Sequence, residues 1–425
     1  MSFSFGFSGE DIEDDGEIQE QDALAKGMSV HTVSDGEPTS SVPVLLPKRH
    51  SLEELLASLP SQISYNILSV PPQSSSRKES SFDSSKGGIS TDNTAIKIYR
   101  RSLFDMRAQL MAEANPSASE SDSADTLLAG LENGDLSSGI YEGGFKTWEC
   151  ALDLASLLIS PFSRLPIDQH GKQDWEIIEL GAGSAIPSLT ILGEFLRRRQ
   201  TSGDSPNHGH LKLTLCDYNV DVLRLATAPN VLLNYLFALG NASLAWSSTS
   251  STSSLSLSHQ ANEDEGDVDL EGLGGDALVR GTVKDLLAHK VSVDFISGGW
   301  GSEFVDLINS HSHSSSATSS SPPPTRPAHL LILASETIYS PASIKTFSQT
   351  LISLLRTHQQ RNGPKSPETG TAKAWLAAKQ VYFGVGGGVD EFAREVEHLG
   401  GRSQVIFERK DTGIGRVVLE VTVEV

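Results

Sequence analysis

From Trp175 onward the chain alternates between two hydrophobic periods. WEIIELGAG is a short apolar run that ends in glycines, and SAIPSLTILGEFLRRRQ follows with helical spacing. Pro187 falls in that helix's first turn, where a missing N–H does no harm. HLKLTLCDYN predicts a second strand ending in Asp217. NVDVLRLATAPNVLLNYLFALG then reads as helix, proline-containing turn and helix. VSVDFISGGW and HLLILASETIY predict further strands, SPASIKTFSQTLISLLRTHQ a helix, and AAKQVYFGVGGGVDEFAREVEHLG a strand, a glycine turn and a helix. SQVIFERK and GRVVLEVTVEV, joined by DTGIG, predict a closing strand pair. Alternating strands and helices imply an α/β fold: a largely parallel sheet covered on both faces, with an antiparallel pair at its C-terminal edge.

Ahead of this region the pattern is weaker. AIKIYRRSLFDMRAQLMAEA reads as helical, and GIYEGGFKTWECALDLASLLIS as a glycine turn leading into a helix with Cys150, Leu154, Leu157 and Leu158 on one face. Residues 1–94 are acidic, Ser-rich and Pro-containing, and read mainly as a disordered arm. Within it SLEELLASLP has the pattern of a transient amphipathic helix, and Phe3, Phe5 and Phe7 have the spacing of an extended strand. The ordered domain is therefore expected over 95–425. Low-complexity inserts are expected near 247–275, 310–327 and 361–372, placed between predicted elements where added length costs little.

Composition agrees with one domain plus polar chain: 425 residues, but only 38% hydrophobic and 6% aromatic. Two cysteines, Cys150 and Cys216, exclude a disulfide scaffold or a CxxC zinc or redox site. No apolar run approaches the roughly 18 residues of a membrane helix. The first residues lack a secretory signal's basic and apolar regions, so an intracellular, reducing compartment is the expectation. A net charge of −21 argues against binding nucleic acid through its phosphates and suits a basic protein partner. The pairs His208/His210 and His311/His313 sit in polar loops without a third ligand nearby, so no metal site is expected.

The chemistry concentrates at predicted strand ends. ELGAGSA carries Glu179, Gly181 and Gly183 where a strand meets a helix N-terminus, so that a ligand can approach the backbone. The nicotinamide pattern G-x-G-x-x-G fails because its third glycine position is Ile186. The E/D-x-G-x-G-x-G loop of S-adenosylmethionine enzymes matches except at Ala185. Asp217, 34 residues beyond Gly183, ends the next strand where a carboxylate can accept both ribose hydroxyls of a nucleoside. SGGW ends the third strand, and ASETIYSP puts Ser335, Glu336 and Tyr339 after the fourth. Ligands of open α/β sheets bind at such C-terminal ends. FGVGGGV, with four glycines in five residues, reads either as a tight strand-to-helix turn or as a loop admitting a substrate.

Taken in order, GIYEGGFKTWEC, ELGAGS, CDYN, APNVLLN, SGGW, SETIYSP and YFGVGGGV resemble the segments of the protein-histidine N-methyltransferases, a group within the seven-β-strand methyltransferases of family sixteen. MSFSFGF resembles that family's N-terminus. The likeness runs from about Gly139 to the C-terminus, apart from the inserts. It implies a Rossmann-like, seven-stranded class I methyltransferase sheet and S-adenosylmethionine as cofactor. It further implies methylation of the tele nitrogen of a histidine in a large-subunit ribosomal protein, in cytoplasm and nucleus. By motif, the implied cofactor contacts are Thr147, Trp148, Glu149, Cys150, Gly181 and Gly183. Asp217, Tyr218 and Asn219 fall on the ribose and adenine side, Gly299 and Trp300 flank the adenine, and Ser335 lies near the methionine end. The first loop departs from the family's D-L-G-C-G-S-G at Ala185. For catalysis, Glu336 is the candidate carboxylate for the far nitrogen of the imidazole, and Tyr339 a wall or hydrogen-bonding partner of that ring. A lysine or small-molecule methyltransferase, and a non-catalytic cofactor-binding scaffold, are the alternatives.

Overall fold

The computed structural model describes residues 45–73, 95–114, 127, 143–160, 173–202, 209–238, 264–314, 328–362, 370–382, 386–410 and 413–424. Its centre is an eight-stranded sheet in the order β1-β7-β5-β4-β8-β9-β11-β10. The parallel part comprises β4 (Trp175–Leu180), β5 (Leu211–Asp217), β7 (Val291–Ser297), β8 (His329–Ser335) and β9 (Ala372–Lys379). β10 (Gly401–Arg409) and β11 (Arg416–Val423) close one edge antiparallel, as the sequence pattern predicts. These seven strands give the expected class I methyltransferase sheet. The eighth, β1 (Lys48–His50), pairs antiparallel with β7 at the other edge and was not expected.

Strand alternation sends neighbouring side chains into two cores. Ile177, Leu213 and Leu331 face α3 (Glu149–Leu158), α4 (Ile186–Ser202) and α6 (Ala228–Ala238). Ile178, Ile296 and Ile332 face α8 (Ser302–Ser314), α9 (Pro341–Asn362) and α10 (Val389–His398), where Phe304, Phe347 and Phe392 are fully buried. Every residue of β4 is buried, which is why WEIIEL carries almost no polar alternation. Among the described residues no helix is long and apolar enough to cross a membrane.

The arm drawn over 1–94 is corrected in part. Residues 48–70 form β1, α1 (Leu52–Leu56) and β2 (Gln62–Val70). Ser51 caps α1 by accepting from the Glu54 amide, and Leu52, Leu55 and Leu56 are buried, so tertiary packing holds a helix too short to persist alone. β2 alternates Ile63, Tyr65 and Ile67 inward and is the middle strand of a second sheet, β3-β2-β6. The other two strands also correct the sequence reading. AIKIYRR forms β3 (Ile96–Arg101), and the predicted helix starts only at α2 (Leu103–Glu113), after the cap Ser102. β6 (Glu265–Asp269) lies inside the expected 247–275 insert, its acidic residues outward and Val268 buried. α7 (Asp276–Ala288) follows it and packs on β7. The other two inserts are narrowed: α8 runs on to Ser314 and α9 to Asn362. Phe3, Phe5 and Phe7 lie outside the described residues.

The expected proline turn before the second helix is also corrected. α5 (Val220–Val222), a π-helical turn (Leu223–Thr227) and α6 follow one another without a break, so Pro229 lies within a continuous helical run, directly after the π-helical irregularity. The asparagines of APNVLLN tie the two sheets together. Asn230 accepts from the Arg101 amide at 2.7 Å and donates to the Ser184 carbonyl at 3.0 Å. Asn234 exchanges bonds with the Tyr99 amide and carbonyl. Replacing Asn230 with alanine strands one buried backbone donor and one acceptor, each costing about 1–3 kcal/mol. Chemical denaturation should therefore show a loss of roughly 2–6 kcal/mol, and a loss under 1 kcal/mol would count against this stapling role.

Candidate active site

The C-terminal ends of β4, β5, β7 and β8 converge, as the strand-end motifs predict. Gly183 gives its amide to Asp217 Oδ2 at 2.9 Å, and the Asn219 amide bonds Oδ1 at 3.2 Å, so one buried carboxylate ties the first loop to the second. The Gly298 amide reaches back to the carbonyls of Asp217 and Tyr218, both at 3.1 Å, which brings in the third strand end. Gly183 has φ +50, and a methyl group there would stand 3.1 Å from the Gly144 carbonyl oxygen, so Gly144 lies directly against the glycine loop. Ala185, where the family has glycine, adopts φ +58, a left-handed conformation that favours glycine. Thr227 donates to the Gly183 carbonyl at 2.6 Å and, with Asn230, fixes the loop from beneath.

Thr147 is buried, receives Arg100 Nη1 at 2.9 Å and meets Ser184 Oγ at 2.9 Å. Trp148 is the N-terminal cap residue just before α3, with Lys379 Nζ above its ring at 5.5 Å. Glu149 pairs with Arg416 at 3.2 Å. Cys150 is fully buried, and burial pushes its thiol well up. Gly299 donates to the Leu45 carbonyl at 2.8 Å, and the Trp300 ring packs edge-on against Phe347. Ser335 is the last residue of β8.

Glu336 follows directly, at φ +56. Its Oε2 accepts from the Tyr382 hydroxyl at 2.5 Å, and the Cys150 thiol lies against the same carboxyl. Oε1 is buried without a hydrogen-bond partner of normal geometry among the described residues. Burial raises the Glu336 carboxyl, while the bonds from Cys150 and Tyr382 and the charge of Lys379 oppose that rise. Tyr339 stands edge-on to Tyr382 with 6.5 Å between ring centroids. Its carbonyl accepts from the Gly387 amide at 3.0 Å, and a methyl group on Gly387 would collide with the Ile338 and Tyr339 carbonyls. At that glycine the tight-turn reading of FGVGGGV has a physical cause; Phe383, Gly384 and Val385 lie outside the described residues. Glu179 lies below the first loop, where burial pushes its carboxyl up to about 8 and the Ser188 amide bonds it at 3.1 Å.

Sequence reasoning missed Arg100, Thr227, Asn230 and Tyr382 as members of this constellation. The motifs APNVLLN and YFGVGGGV contain Asn230 and Tyr382, but only the tertiary contacts show what they hold.

The comparisons bear on what this arrangement serves. No family model matches the chain. Histidine protein methyltransferase 1 of Saccharomyces cerevisiae is 29% identical over 92% of this chain and 89% of its own length. Its namesake in Schizosaccharomyces pombe is 32% identical over 71% of this chain and 69% of its own. The chain belongs to the histidine protein methyltransferase 1 family. A solved structure, the N-terminal domain of EvdMO1 in the presence of SAH and D-fucose, overlaps with a TM-score of 0.29 at 11% identity, over 71% of this chain and 97% of that one, too little to add to the assignment. The family's cofactor is S-adenosylmethionine, and the site fits it. Each oxygen of Asp217 accepts a backbone amide, which fixes this carboxylate at the end of β5, where a nucleoside's ribose hydroxyls can bond it.

Proposed function

We propose that this chain is a protein-histidine N-methyltransferase that moves a methyl group from S-adenosylmethionine to the tele nitrogen of a histidine in a large-subunit ribosomal protein, in cytoplasm and nucleus. The observation that carries the chemistry is Glu336: a carboxyl at the C-terminal end of β8, held at Oε2 by Tyr382 and with the Cys150 thiol against it, whose Oε1 has no hydrogen-bond partner of normal geometry among the described residues. The name of the relatives supports histidine as the target, and the net charge of −21 suits a basic substrate protein. We assign the cofactor contacts to Thr147, Trp148, Glu149, Cys150, Gly181, Gly183, Asp217, Tyr218, Asn219, Gly299, Trp300 and Ser335.

When bound, S-adenosylmethionine supplies an electrophilic methyl group on a sulfonium. A neutral imidazole is nucleophilic near pH 7, so the protein's task is alignment more than activation. In this reading Glu336 Oε1 accepts the Nδ1–H of the substrate histidine. That bond fixes the tautomer that leaves the tele nitrogen, Nε2, free to attack. As the N–CH3 bond forms and the S–CH3 bond breaks, the ring becomes cationic, and the adjacent carboxylate balances that charge until the Nδ1 proton leaves. Tyr339 walls the imidazole. Tyr382 acts through Glu336 as a positioning residue, because its hydroxyl holds Oε2.

Tyr382→Phe removes a bond that favours ionised Glu336, so the carboxyl rises further. The acid limb of the kcat pH profile should move to higher pH, with the rate at pH 8.5 within about threefold of the parent. An unmoved acid limb would exclude this role.

The overall test is methyl transfer from labelled cofactor into ribosomal proteins of cells lacking the enzyme, followed by amino-acid analysis. Label in methyl-histidine is expected. Label in methyl-lysine would select the lysine reading, whose rate should keep climbing well above pH 7 because a lysine must first lose its proton. Cofactor binding without any transfer would select the scaffold.

A further inference from the structure

β7 would be an edge strand if the sheet were the seven strands alone. Instead β1 covers it in antiparallel register, Lys48 opposite Ser297, Arg49 opposite Ile296 and His50 opposite Phe295. Side chains lock that pairing. His50 Nε2 meets Ser297 Oγ at 2.8 Å, and Arg49 pairs with Asp294 at 2.9 Å and donates to the Leu307 carbonyl at 2.8 Å. The chain just ahead of β1 then crosses the turn that leaves β7. The Leu45 carbonyl takes the Gly299 amide at 2.8 Å. A methyl group on Gly298, which has φ +110, would stand 2.7 Å from both the Leu46 carbonyl oxygen and Pro47 Cα. SGGW is thus built for close passage of this segment. Leu45 and Leu46 nevertheless expose 48% and 73% of their surface, an apolar pair in water beside Gly299 and Trp300.

We infer that residues 45–50 are a working part of the cofactor site. They hold the Gly298–Trp300 turn in shape before the cofactor arrives, and Leu45 and Leu46 form an apolar rim that the adenine end covers. The inference rests on the assignment of Gly299 and Trp300 to the adenine side. The physical reason is preorganisation: a turn at the frayed end of an unpaired edge strand would have to be ordered by the ligand, at a cost in affinity.

The test uses the full chain and calorimetric titration with S-adenosylhomocysteine. Arg49→Ala/His50→Ala loosens β1 at side chains that contact β7 and α8, away from Gly299. Leu45→Asp/Leu46→Asp alters only the exposed pair and should leave the fold intact. Each should weaken binding about tenfold, while KM for the protein substrate at saturating cofactor stays within twofold. Hydrogen exchange at the Gly299 amide should accelerate in the first variant. Cofactor affinity within twofold of the parent in both variants would overturn the inference, whatever happens to Tm. Asp217→Ala serves as the separate control: if it too keeps parental affinity, the cofactor-site assignment itself has failed rather than the role of residues 45–50.

Discussion

Asp217→Ala is expected to weaken S-adenosylmethionine binding by at least a hundredfold and to remove methyl transfer at micromolar cofactor. In the proposed site each oxygen of this carboxylate receives a ribose hydroxyl, and hydrogen bonds to a charged group are worth about 1.5–3 kcal/mol each. Two such bonds convert to roughly a 10²–10⁴-fold change in affinity. The substitution also deprives the Gly183 and Asn219 amides of their buried acceptor, so the glycine loop loses its tie to β5. Asp217→Asn separates the two effects. It keeps one oxygen for a backbone amide but turns an NH2 toward the other, stranding that amide at a cost of about 1–3 kcal/mol, so it should lose less stability than the alanine variant and still bind at least tenfold more weakly. Calorimetry against a thermal melt makes the comparison. Parental affinity in the alanine variant would refute the assignment.

Glu336→Gln should leave cofactor affinity within twofold and lower kcat by about 10²–10³, the range for a lost proton-handling group. The amide can still accept from the Tyr382 hydroxyl at 2.5 Å, so the local fold is kept, but it offers no negative charge to the methylated ring. The pH profile gives the sign. Burial raises the carboxyl of Glu336 above its ordinary range, so on acidification it takes up a proton earlier than an exposed glutamate would. The substrate histidine protonates near pH 6.5 as well. In the parent, kcat should therefore fall on the acid side through two ionisations, whereas Glu336→Gln should retain only that of the substrate. Full activity with an unchanged acid limb would mean that Glu336 is merely a buried neighbour of Tyr382.

Much of the candidate site was legible because it is written in short local patterns. ELGAGSA, CDYN, SGGW and SETIY each join a strand's apolar run to a turn, and a parallel sheet delivers all such ends to one edge. The partners of those residues were not legible. Glu336 and Tyr382 are 46 positions apart and meet only because β8 and β9 are neighbours. Asn230 reads as an ordinary helical polar residue until β3 and the glycine loop arrive on either side of it. The left-handed backbone at Ala185 is invisible in an alanine's identity, although the family's glycine there hints at it.

By itself the sequence determined the seven strands of the main sheet in chain order, the two-faced burial of that sheet and the residues at the C-terminal ends of its parallel strands. Those features follow from spacings within about twenty residues, where periodicity and turn chemistry act. Tertiary structure decided what belongs to the domain. Three residues, KRH, carry no strand signal, and EGDVD reads as polar chain; each is a strand because a neighbouring edge supplies its hydrogen bonds. Pairing over such distances depends on which edges remain open once the core has formed, and no local pattern records that.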